Sequence, residues 1–70
     1  MAEEVKIFLE RQNKHENLSI DKEISMAELM QRMKVNPSEV IVVKNGELVT
    51  EDARVKVGDE IKFLAVISGG

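Results

Sequence analysis

One stretch of this chain reads as helix and the segments on both sides of it read as strand, and that balance decides the fold class. Ser25-Met26-Ala27-Glu28 fits a capping box: the serine side chain satisfies an orphan N–H, and Glu28 reaches back to the serine amide. Met26, Leu29, Met30 and Met33 then recur at i, i+3, i+4 and i+7, one apolar face on a short helix. Asn36-Pro37 is expected to end it, because a residue before proline is pushed away from helical dihedrals. Methionine also serves adaptable binding surfaces, but at this spacing the stripe reads as core packing. A helix with one apolar face must lay it on something, and the flanking segments supply a sheet.

Val5, Ile7 and Leu9 alternate with polar neighbours, as in a half-buried strand. The polar stretch Arg11 to Glu16 reads as a hairpin turn, with Asn17 to Asp21 returning and Leu18 and Ile20 facing inward. Val40-Ile41-Val42-Val43 is a continuous β-branched run, expected of a strand covered on both faces or lying centrally. Asn45-Gly46 is the strongest short turn signal, and Glu47-Leu48-Val49 would follow as a short strand. An irregular charged stretch, Thr50 to Lys56, leads to a second turn at Val57-Gly58-Asp59 and a final strand from Glu60 to Val66. Hairpin, helix and further strands make a single α+β sheet with the helix packed on one face.

The chain is too short for a second domain, so residues 1–70 are read as one. There is no cysteine, which removes disulfides and thiolate metal sites and fits a reducing compartment. With two Phe, no Tyr and no Trp, platforms for stacking bases are missing. The net charge of −3, with both signs interspersed, argues against a phosphate-backbone binder. The longest apolar run, Phe63 to Ile67, is far too short to cross a bilayer, and the acidic start Met1-Ala2-Glu3-Glu4 lacks a signal region. A cytoplasmic protein, monomeric on its own and binding neither nucleic acid nor membrane, is the expectation.

Self-contained chemistry is hard to find. No glycine-rich nucleotide loop and no nucleophile elbow is present. His15, the sole histidine, sits among charged hairpin residues and reads as solvated rather than as a ligand or base. The pairs Glu3-Glu4, Glu51-Asp52 and Asp59-Glu60 are sequence neighbours whose side chains need not converge, so they read as surface carboxylates. The chain is therefore not expected to be an enzyme, nor to hold a metal or bound cofactor.

What remains is the segment Phe63 to Gly70. It carries no side-chain charge and finishes in Ser68-Gly69-Gly70, with half of the four glycines in its last two positions. Glycine adds nothing to a core and costs entropy when ordered, so residues 67–70 read as a flexible tail. If Phe63 faces the helix, Leu64 and Val66 point to the opposite face of the sheet. Polar residues belong on an open face. Apolar ones beside a tail suggest a patch where a partner docks. The alternative is that the N-terminal strands cover them. The Gly70 α-carboxylate is ionised at neutral pH and is a poor acyl donor until activated. Activation is most economical as an acyl-adenylate made from ATP, which a partner would have to supply.

The order of elements followed by Gly-Gly resembles the β-grasp, or ubiquitin-like, fold, a mixed sheet of four to five strands with one main helix on one face. More narrowly, Ser25 to Met30, Asn45 to Val49, Gly58 to Ile61 and the stretch Phe63 to Gly70 are similar to the sulfur carriers ThiS and MoaD. Val66-Ile67-Ser68-Gly69-Gly70 is closest to the ThiS type. The resemblance implies that Gly70 is adenylated by a ubiquitin-activating-type adenylyltransferase and converted to a thiocarboxylate. The sulfur then passes to a synthase, the thiamine thiazole pathway being the first expectation and the molybdenum cofactor the second, with thiolation of tRNA a further one. Gly69, Ser68 and Ile67 would form the inserted tail, and Leu64 and Val66 would contact the partner. A ubiquitin-like modifier joined to lysines through Gly70 uses the same tail, and an interaction module with incidental glycines is a third class. The first hairpin, Arg11 to Asn17, reads as longer than in compact ThiS proteins.

Overall fold

The computed structural model describes residues 3–66. The chain forms β1 (Glu4–Leu9), a 3-10 turn (Glu10–Gln12), β2 (Lys14–Ser19), β3 (Ile24–Ser25) and helix α1 (Met26–Met33). A second 3-10 turn (Pro37–Glu39), β4 (Val40–Lys44), β5 (Glu47–Val49), β6 (Arg54–Val55) and β7 (Glu60–Ala65) follow. Five strands make a mixed sheet in the order β2-β1-β7-β4-β5, in which only β1 and β7 run parallel. This is the α+β β-grasp architecture.

The alternation in β1 and β7 builds the core. Val5, Ile7, Leu9, Ile61 and Phe63 turn to one face, where Met26, Leu29 and Met30 of α1 pack against them with Val42 and Val55. The helix begins as its sequence predicts: Ser25 Oγ accepts the Glu28 N–H at 3.1 Å. The reciprocal half of the box does not form, because the Glu28 carboxylate pairs with Arg32 one turn along. Two further orphan donors are met by backbone instead, Met26 N–H by Ala53 C=O at 2.8 Å and Ala27 N–H by Glu51 C=O at 3.1 Å.

Four boundaries or environments differ from expectation. The first hairpin turn is shorter, because β2 starts at Lys14, and Asn13 takes the left-handed conformation (φ 48) that closes the turn. Lys14 to Glu16 hide their strand character because β2 is an edge strand, held by its register with β1 rather than by burial. The helix ends at Lys34 (φ 58), before Asn36-Pro37 acts, with the Lys34 and Val35 N–H groups donating to Gln31 and Met30 carbonyls. Val40 to Val43 lies inside the sheet, between β7 and β5, as one of its two expected placements has it, and what differs is the cover: Val42 is buried and Ile41 exposed. Finally, the stretch Thr50 to Lys56 contains β6, which pairs with β3 in a small second sheet beside the helix N-terminus.

Candidate functional site

The sheet face away from α1 is set by register. On β7, Leu64 lies opposite Ile41 and Lys62 opposite Val43. On β4, Val43 lies opposite Leu48 of β5. On the other flank Lys62 neighbours Phe8, which in turn faces His15 with ring centroids 4.7 Å apart. Because side chains alternate along each strand, these residues share one face. Its apolar half consists of Leu64, Ile41, Val43 and Leu48, with Ile41 45% and Leu48 75% exposed. Its polar half is a depression of about 160 Å³ where Lys6, Lys62, His15 and Asn17 stand around Phe8.

Of the residues singled out from sequence, Leu64 lies on this face and is half-buried. Val66, just past β7, is 43% exposed. Neither is covered by β1 or β2, which continue the sheet sideways instead of packing over it. Ile67, Ser68, Gly69 and Gly70 lie outside the described residues. Sequence reasoning missed Ile41, Val43 and Leu48. The signal available was the unbroken run Val40 to Val43, whose second apolar set needs a cover that the fold does not supply.

His15 belongs to the open face as the aromatic partner of Phe8. Asp59, the buried charged residue among those described, is fully engaged: its carboxylate accepts from the Lys56 N–H (2.9 Å) and the Asn45 side-chain amide (3.2 Å). Among the described residues no cluster of His, Asp and Glu stands close enough to hold a metal ion. No helix among them is long and apolar enough to cross a membrane. What the arrangement offers is an open, partly apolar sheet face, with β7 as its central strand.

The end of β7 is polar and ordered. The Ala65 N–H donates to Glu10 Oε1 at 2.9 Å. The Val66 N–H donates to the Glu39 carbonyl at 3.0 Å, and Arg11 pairs with the Glu39 carboxylate at 2.7 Å.

Comparison with known proteins agrees with this geometry. The family model for small archaeal modifier protein 2 matches residues 1–67. No curated protein matches the chain. Among solved structures, the thiamine biosynthesis protein ThiS from Geobacter metallireducens is similar over 93% of this chain and 99% of its own, with a TM-score of 0.66 and 28% identity. A five-stranded β-grasp sheet, one helix on one face and a family match across nearly the whole length lead to one assignment: the chain belongs to the small archaeal modifier protein 2 family, among the ubiquitin-like proteins of the ThiS and MoaD type.

Proposed function

We propose that this protein is an acyl carrier that works through Gly70, activated by a ubiquitin-activating-type adenylyltransferase that docks on the open sheet face. The Gly70 carboxylate attacks the α-phosphorus of ATP bound to that partner, pyrophosphate leaves, and an acyl-adenylate forms. A sulfide-level nucleophile then displaces AMP to give a thiocarboxylate, which hands its sulfur to a synthase. The carrier needs no cofactor of its own, and the route places it in the cytoplasm, where ATP is available. The observation that carries the reading is the sequence Ser68-Gly69-Gly70, separated by two residues from the end of β7, whose Leu64 lies in the apolar open face. Glycine suits the transfer because an acyl carbon without a Cβ neighbour fits a narrow channel.

Likeness to ThiS favours sulfur transfer to the thiamine thiazole, with a molybdopterin-type carrier as the variant of the same chemistry. The family description, a modifier, favours a second reading in which a lysine amine takes the acyl group and forms an isopeptide bond. Intact-mass analysis after incubation with the activating enzyme, ATP and a sulfur source tests the first. Replacement of one terminal oxygen by sulfur is expected, and its persistent absence overturns sulfur transfer. Peptide mapping of cellular proteins tests the second: lysines bearing Gly70 support conjugation, and free carrier alone counts against it. Both readings require that deletion of Gly69-Gly70 abolish cellular function, and full complementation by the truncated chain removes both.

A further inference from the structure

The last described residues of β7 are held by side chains from the far side of the sequence. At Phe63 the strand still has Leu9 of β1 beside it, but β1 ends there and the chain turns away into Glu10–Gln12. The Ala65 N–H therefore has no ladder partner on that side, and the Glu10 carboxylate takes the place of the missing strand at 2.9 Å. On the other side the Val66 N–H bonds the Glu39 carbonyl, which belongs to the 3-10 turn before β4. Arg11, next to Glu10, then reaches Glu39 Oε1 at 2.7 Å, so the two flanks are tied to each other as well as to the strand. Glu39 is itself steadied by the Asn36 side-chain amide, 3.4 Å from its other oxygen.

A depression of about 130 Å³ lies between Leu9, Val35, Val40 and Phe63, with Arg11 and Glu39 at its edge. Past the buried Phe63, the backbone at Ala65 and Val66 is held by the pairing of Ala65 with Val40 and by these polar contacts. All of them are solvent-accessible, so their contribution to global stability is small. A contact of little value to stability that fixes one backbone direction, immediately before the segment proposed to react, has a use in presentation.

We infer that Glu10 is a positioning residue, and that the Glu10–Ala65 and Arg11–Glu39 contacts form a clasp that fixes the backbone at Ala65 and Val66, the last step before the residues proposed to enter the activating enzyme. This inference rests on the proposed acyl-carrier function. Pre-orienting the root of a tail lowers the ordering cost of binding, so loss of the clasp falls on KM rather than on kcat.

The test uses the full chain and two readouts, amide hydrogen exchange by NMR and ATP–pyrophosphate exchange with the activating enzyme. Glu10→Ala is expected to speed exchange of the Ala65 amide about tenfold and to raise the KM for the carrier about five- to tenfold, as loss of one charge-assisted hydrogen bond allows. The thermal midpoint and kcat should stay unchanged. Glu10→Gln keeps a carbonyl acceptor and should restore both readouts. Unchanged Ala65 exchange in Glu10→Ala overturns the clasp whatever the enzyme assay shows. Faster exchange with an unchanged KM overturns its role in presentation. A wild-type chain that no activating enzyme adenylates overturns the acyl-carrier reading instead, and the amide readout still decides the clasp.

Discussion

Asp59 shows how a single residue holds two turns of this sheet together. Its carboxylate accepts from the Lys56 N–H within its own turn and from the Asn45 amide in the β4–β5 turn, while Asn45 Oδ1 accepts the Glu60 N–H at 2.9 Å. Both turns rely on left-handed backbone, Asn45 (φ 51) with Gly46 (φ 86) in one and Gly58 (φ 93) in the other. Replacing Asp59 with alanine leaves two donors unpaired at a site only 5% exposed. We expect a loss of about 2 kcal/mol, read as a lowered urea midpoint with the slope unchanged. A change under about 0.5 kcal/mol would mean that water replaces the carboxylate without cost. The turns themselves are legible in the sequence as Asn45-Gly46 and Gly58-Asp59. Their mutual bond is not, because it exists only once β4 and β7 are paired.

At the scale of elements, α1 was legible through its cap and its methionine stripe, yet its surroundings were not. Eight residues are too few to form a stable helix alone, so tertiary partners decide where it begins and stops. Its N-terminal donors are shared between one side chain and two carbonyls of the 51–53 segment. That sharing limits what the cap alone is worth. Ser25→Ala is expected to cost about 0.5–1 kcal/mol, the lower half of the range for N-caps, by thermal or urea unfolding. A loss above about 2 kcal/mol would show that the serine also holds β3 against β6. Those two-residue strands escaped sequence reasoning because such short segments have no period to detect. The first half of β2, Lys14 to Glu16, is hidden in the sequence for a related reason. An edge strand is specified by backbone pairing, and Leu18 is its lone apolar side chain on the core side.

The whole molecule is a sheet with one face packed under the helix and one open face, and the two are separable by mutation. The division was half legible: Leu64 stood out because an apolar residue falls on the polar parity of β7. Ile41 and Leu48 did not, since their place beside Leu64 depends on the strand order β7-β4-β5. Phe63 and Leu64 are sequence neighbours on opposite faces, the first 1% exposed and the second half-buried in the open surface. Phe63→Ala should cost about 3–5 kcal/mol, enough to unfold much of a domain this small. Leu48, 75% exposed, gives the clean counterpart. A glutamate there adds charge to the apolar half of the open face, where burial against a partner would leave it unpaired. Leu48→Glu should therefore leave the thermal midpoint within about 2 °C of wild type. The same variant should weaken adenylation by the activating enzyme about tenfold or more, through KM. Measured together, the two variants decide whether the open face is the docking surface. If Leu48→Glu is adenylated like wild type while Gly70 remains essential, the partner grips the tail and its clasp alone, and the apolar half of the sheet serves some other contact.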